Sequence, residues 1–194
     1  MLVGLTGGIG SGKSTVAKML AEFDDVVVYF ADEEAKSLMN TSQEIRTQLI
    51  AEFTDEVYKD GLLNRPFLAG IVFRNEKKLK KLNTIVHPIV HKHLQDFIKT
   101  HENKDYILYE NAILFENGSN RFCDKIITVT APEMLRIQRV IERDNSTFEE
   151  VKNRINNQWS EEKKVLQSNY VIHNVDLTVV KAVLGKIHNK LTKS

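Results

Sequence analysis

The sequence predicts an α/β protein: a five-stranded parallel sheet with helices on both faces and a helical subdomain near its carboxyl edge. Three observations carry that expectation. The chain opens as a strand, a glycine-dense turn, a helix and a second strand. Its strand candidates are short and apolar throughout rather than alternating, as in sheets covered on both faces. Between the second and third of them lie about 70 residues of helical periodicity.

The elements follow in order. Leu2 to Leu5 reads as a short buried strand, followed by a glycine turn and a helix from about Lys13 to Phe23 with Val16, Leu20 and Phe23 on one side. "VVVYF", ending at Phe30, is the second strand. "DEEAKSLMN", "SQEIRTQLIAEF", "NRPFLAGIVF" and "LKKLNTIVHPIVHKHLQDFIKT" give successive amphipathic helices without a good strand, and Pro88 starts, kinks or redirects the last. Strands return in "YILYENAIL", Tyr106 to Leu114, with Glu110 ending the strand proper, and in "KIITVT", Lys125 to Thr130. A helix runs from Pro132 to about Asp144. Ser146 and Glu149 have capping-box spacing and predict another before Trp159. "YVIHN", Tyr170 to Asn174, is the last strand, and Leu177 to Leu191 a terminal helix.

Composition bounds the function. A chain of 194 residues suits one principal domain with an insertion. Lys and Arg number 27 against 26 Asp and Glu, a net charge of +1 that predicts no nucleic-acid partner. No apolar stretch is long enough to span a membrane, and the run Leu2 to Ile9 has no basic flank before it, so a cytoplasmic protein is expected. No obligate protein partner is evident. The single cysteine, Cys123, excludes an intrachain disulfide and reads as a small semi-buried side chain. The basic run Arg74 to Leu82 is either a solvated helix face or local help for an anionic substrate.

The chemistry begins at Gly7 to Ser14, which satisfies G-x-x-x-x-G-K-S between a strand and a helix. Glycines let the backbone curl around phosphate oxygens, and the helix amino terminus adds positive potential. The phosphates of ATP are therefore expected against Gly8, Ile9, Gly10, Ser11, Gly12, Lys13, Ser14 and Thr15. Lys13 follows charge on the β and γ phosphates, and the Ser14 hydroxyl ligates Mg²⁺. The dinucleotide fingerprint fails, because Lys13 stands where its third glycine belongs. "NKDY" at Asn103 to Tyr106 lacks the final aspartate of a guanine-reading tetrapeptide, and "KIITVT" lacks a terminal acid. These absences favour a small-molecule kinase, with another nucleoside or nucleotide kinase, or a nucleotide-dependent switch, as alternatives.

Transfer to a hydroxyl needs an acid to orient the nucleophile and cations to contain the moving phosphoryl group. Asp32 follows the second strand, so it is either a helix cap or that acid. Glu110 also points toward the carboxyl edge. Arg136, Arg139 and Arg143, at i, i+3 and i+7, share roughly one helix face: a solvated surface or a basic lid. Arg154 lies beyond them. Glu116, Glu142 and Glu149 are candidate structural partners for these arginines. His87 and His91 lack the glutamate of H-E-x-x-H, which leaves His87 a substrate contact or a packed polar residue.

Taken together, "LTGGIGSGKSTVAKML", "ADEEAK", "GLLNRPFLAGIVF", "LNTIVHPIV", "NAILFEN" and "RVIERDNSTFEEVKNRINNQW" resemble the dephospho-coenzyme A kinase family, in order, over about Leu2 to Asn174. The resemblance implies ATP-dependent phosphorylation of the ribose 3′-hydroxyl of dephospho-coenzyme A, on a P-loop NTPase fold. It implies a core over 1–32, 101–135 and 160–194, a helical acceptor-binding subdomain over 33–100, and a lid region over 136–159. It places the acceptor-side acid at Asp32 and further acceptor contacts at Leu63, Arg65, His87 and Pro88. Lid arginines fall at Arg139 and Arg143, with Arg139 catalytic beside Lys13, and nucleotide-side contact falls near Asn174. The chain departs from the family pattern at Phe30, Glu110, Ala112, Arg136, Ser168, Asn169 and Val175.

Overall fold

The structure is a computed structural model that describes residues 1–72 and 75–193. It divides into two compact units, one of residues 1–30 with the chain from His101 onward, the other Ala31–Thr100.

The first unit holds five parallel strands: β1 (Leu2–Thr6), β2 (Val26–Phe30), β5 (Tyr106–Glu110), β6 (Lys125–Thr130) and β7 (Tyr170–His173), in the order β2-β5-β1-β6-β7. β1 is central. Leu5 lies beside Glu110 on one flank and Ile127 on the other, so the turn after β1 leaves the middle of the carboxyl edge. Val3 and Leu5 pack with Val16 and Leu20 of α1 (Lys13–Leu20) and with Val180, Leu184 and Ile187 of α9 (Leu177–Leu191). Side chains alternate across a strand, so Gly4 faces the other way. Leu114 and Cys123 stand against it there, too close for a Cβ. Residues α6 (Glu133–Asp144), α7 (Phe148–Asn156) and α8 (Glu161–Leu166) complete the unit, with α8 packed on β6.

The second unit contains α2 (Ala31–Thr41), α3 (Gln43–Phe53), α4 (Arg65–Val72) and α5 (Glu76–Thr100), with α2, α3 and α4 all packed on α5. Its apolar interior includes Ile45, Leu49 and Phe53 of α3 and Val86, Val90 and Leu94 of α5.

Several local expectations are corrected. The helical stretch contains an antiparallel hairpin, β3 (Tyr58–Lys59) and β4 (Leu62–Leu63), turned by Asp60 and Gly61 at φ 51° and 82°. Asp-Gly is the turn such a hairpin needs, and that signal stands in the sequence. Pro88 lies inside a continuous α5 rather than at an end. The capping box sits one residue later than its spacing suggested, with Thr147 and Glu150 exchanging bonds at 3.3 and 2.9 Å. α1 stops at Leu20, and α8 adds a short helix that no periodicity announced. Of the basic run, Arg74 lies outside the described residues and Asn75 precedes the helix; from Glu76 the run forms the first turns of α5, where Lys80 pairs with Glu76 at 2.8 Å on an exposed face. Among the described residues no helix is long and apolar enough to cross a membrane.

Candidate functional site

Residues Gly7–Gly12 connect β1 to α1, and Lys13 and Ser14 are the first two helical residues. Lys13 is largely covered. Its Nζ lies 4.0 Å from Oε1 of Glu110, a buried carboxylate ending the adjacent strand. Ser14 and Thr15 are exposed in the first turn. Gly12 has φ 88°, a conformation that L side chains rarely adopt, and a Cβ there would run into the Asn174 amide.

Asn174 organises this end of the sheet. Its backbone N–H donates to Thr130 at 2.8 Å, its side-chain amide donates to the Ser11 carbonyl at 2.8 Å, and its own carbonyl accepts from Arg139 Nη2 at 3.0 Å. Arg139 Nη1 stands 3.5 Å from the Gly10 carbonyl, a longer and weaker contact. One arginine thus clasps the loop and the end of β7 together.

The three arginines of α6 differ in environment. Arg136 is buried at 5% exposure, Arg139 is intermediate and Arg143 is exposed. Arg136 lies 3.6 Å from Glu161 Oε1. Arg143 binds Asp144 through two bonds of 2.7 and 2.9 Å, and Arg154 of α7 reaches the same carboxylate at 3.0 Å. The Arg143 hydrogen bond, helped by Arg154, lowers the Asp144 pKa to about 2. The expected carboxylate partners took other roles: Glu116 binds Lys164 at 2.8 Å, and Glu142 accepts from Gln138 at 2.9 Å.

The loop also carries contacts that the sequence did not announce. Gly8 N–H donates to Glu161 Oε1 and Ile9 N–H to Gln158 Oε1, each at 2.9 Å. Partners 153 and 149 residues apart leave no local spacing to read.

A family model for dephospho-CoA kinase matches residues 1–178. The chain belongs to the dephospho-CoA kinase family. A dephospho-CoA kinase of Bacteroides fragilis (strain YCH46) is 40% identical over 172 residues, covering 89% of this chain and 83% of that one. One from Fusobacterium nucleatum is 38% identical over 175 residues, covering 90% and 89%. Among solved structures, TT1252 from Thermus thermophilus superposes with a TM-score of 0.87 at 32% identity, over 99% of this chain and 98% of that one.

The remaining expected site residues lie in the helical unit. Asp32 is exposed in the first turn of α2, inside the helix rather than at its N-cap. Leu63 is buried, its N–H bound to Asn40 Oδ1 at 2.9 Å. Arg65 is exposed at the start of α4. His87 and Pro88 are exposed on α5, and partial desolvation of the His87 ring lowers its pKa. Among the described residues no group of three or more His, Cys, Asp and Glu side chains could hold a metal ion.

Proposed function

We propose that the chain transfers the γ-phosphoryl group of ATP to the ribose 3′-hydroxyl of dephospho-coenzyme A, giving coenzyme A and ADP. The observation that carries this reading is the loop Gly7–Ser14 at the centre of the carboxyl edge, its Lys13 beside Glu110, in a chain of the dephospho-CoA kinase family. The loop from Gly8 to Thr15 shapes the phosphate site. The Gly8 and Ile9 N–H groups donate to Glu161 and Gln158, which hold the loop's curve, and Gly8, Ile9, Gly10, Ser11, Gly12, Lys13, Ser14 and Thr15 together are assigned to the phosphates.

Lys13 and Arg139 stabilise charge on the moving phosphoryl group, with Arg143 and Asn174 on the nucleotide side. Asp32 orients the hydroxyl and accepts its proton as the oxygen bonds to the γ phosphorus and the bond to ADP breaks. Leu63, Arg65, His87, Pro88 and Glu110 are assigned to the acceptor. The exposed Ser14 hydroxyl fits an ion held mostly by phosphate oxygens and water, so Ser14 would hold Mg²⁺. When bound, that ion neutralises charge on the β and γ oxygens. A cytoplasmic setting, without nucleic acid, membrane or obligate protein partner, belongs to the same proposal.

The test is ADP release by the purified chain across a panel of acceptors. Dephospho-coenzyme A should exceed nucleosides and nucleoside monophosphates by about 100-fold or more in kcat/KM. Robust acceptor-independent GTP hydrolysis would refute the kinase reading.

A further inference from the structure

The phosphate loop is fastened to the stretch from α6 to α8 at three successive residues, Gly8, Ile9 and Gly10. Gly8 N–H donates to Glu161 and Ile9 N–H to Gln158. The Ile9 side chain packs against Ile137, Val140 and Val151, the apolar seam between α6 and α7. Gly10 lies so close to the Arg136 backbone that a Cβ would strike its carbonyl, and a Cβ on Gly8 would strike Arg136 Nη1 and Glu161 Oε1. Gly10 is therefore required by backbone contact with α6, whereas at Gly8 a Cβ would meet only side-chain ends.

A carboxylate behind a phosphate loop is electrostatically unfavourable, because it repels the anion the loop exists to hold. Arg136 offsets it at 3.6 Å, with both side chains nearly covered. As a stabilising device the pair is poor. Arg136 Nε and Glu161 Oε2 are buried without a hydrogen-bond partner among the described residues. Buried ion pairs of imperfect geometry are frequently no better than apolar replacements. What apolar replacements could not do is accept the Gly8 N–H.

We infer that Gln158 and Glu161 are positioning residues for nucleotide binding: they fix the entry curve of the loop through the Gly8 and Ile9 N–H groups, and Arg136 cancels the charge this requires. The inference rests on the nucleotide half of the proposed function and extends it to residues outside the loop.

Charge and shape separate in a set of variants read by calorimetric titration of the full chain with ATP and Mg²⁺, without acceptor. Arg136→Gln leaves a bare carboxylate behind the loop and should weaken ATP about tenfold. Glu161→Gln keeps an oxygen for Gly8, removes the negative charge, and should leave affinity equal or tighter. The double variant should return to within about threefold of the original chain. A purely structural pair would shift both single variants the same way. That result, or a double variant no better than Arg136→Gln, overturns the inference. Should Arg136→Gln fail to fold, Gln158→Ala at a half-buried site decides alone: at least about threefold weaker binding supports the inference, and unchanged binding overturns it. Turnover with dephospho-coenzyme A, measured separately, tests the acceptor, so loss of that reading leaves the binding result intact. An unsubstituted chain that binds no ATP overturns both.

Discussion

The side-chain amide of Asn174 donates to the Ser11 carbonyl oxygen at 2.8 Å, joining the end of β7 to the phosphate loop. Asn174 is buried at 3% exposure, so its replacement strands the Ser11 carbonyl. Asn174→Ala should cost about 1–3 kcal/mol in urea denaturation. It should also raise the KM for ATP several-fold while leaving that for dephospho-coenzyme A unchanged. Asn174→Asp should be worse, because it sets a carboxylate against a carbonyl and close to bound phosphates. An Asp variant matching the original chain would contradict the role given to this amide.

Lys164 has no exposed surface, and its Nζ lies 2.8 Å from Glu116 and 3.1 Å from the Ala112 carbonyl. The same Glu116 oxygen accepts the Trp159 N–H at 2.8 Å. Lys164→Met leaves a mostly buried carboxylate unpaired and should cost about 3–5 kcal/mol. Adding Glu116→Gln should recover part of that loss. Trp159, the only tryptophan, stacks on Phe115 with ring centroids 5.6 Å apart, so its fluorescence reports the same unfolding transition. A single Lys164→Met variant with full stability would show that the pair contributes nothing net.

Asp144 supplies a pH dependence with a definite sign. Arg143 and Arg154 hold its pKa at about 2, below the value near 3.9 of an unfolded chain. A depressed folded pKa means the contribution is fully present above about pH 4 and disappears as pH falls through about 2. Asp144 is solvent-exposed, so the effect is small, below about 1 kcal/mol. Melting temperatures of the original chain and Asp144→Asn should differ at pH 6 and converge at pH 2. A gap that widens on acidification would reverse the assignment.

What the sequence disclosed depends on the range of each interaction. The loop, α9 and the strands β1, β2 and β6 follow from local patterns of glycine, apolar runs and helical period. The Asp60-Gly61 hairpin was equally local, but two strands of two residues each fall below the length at which alternation can be counted. The equivalence of Arg136, Arg139 and Arg143 on one face was legible, and their different environments were not. Arg136 is buried because Glu161, 25 positions later, folds back beside it, and α8 is too short to betray that return by periodicity. Asn174 emerged from the family resemblance, while its bond to Ser11 depends on β6 lying between β1 and β7 in the completed sheet.

Asp32 separates a helix-stabilising acid from a proton acceptor. It occupies the first turn of α2 together with Glu33 and Glu34, where any negative charge gains from the helix dipole. If that were its only role, Asp32→Asn would cost under about 1 kcal/mol of stability, with Glu33 and Glu34 retaining most of the favourable charge, and turnover would be unchanged. If it accepts the proton of the attacking hydroxyl, the amide keeps the shape and loses the basicity. kcat should then fall about 10²- to 10⁴-fold while ATP affinity and melting temperature stay near those of the original chain. Steady-state ADP release, calorimetric ATP binding and thermal denaturation on one preparation distinguish the two, and a kcat within about twofold of the original chain assigns Asp32 to the helix alone.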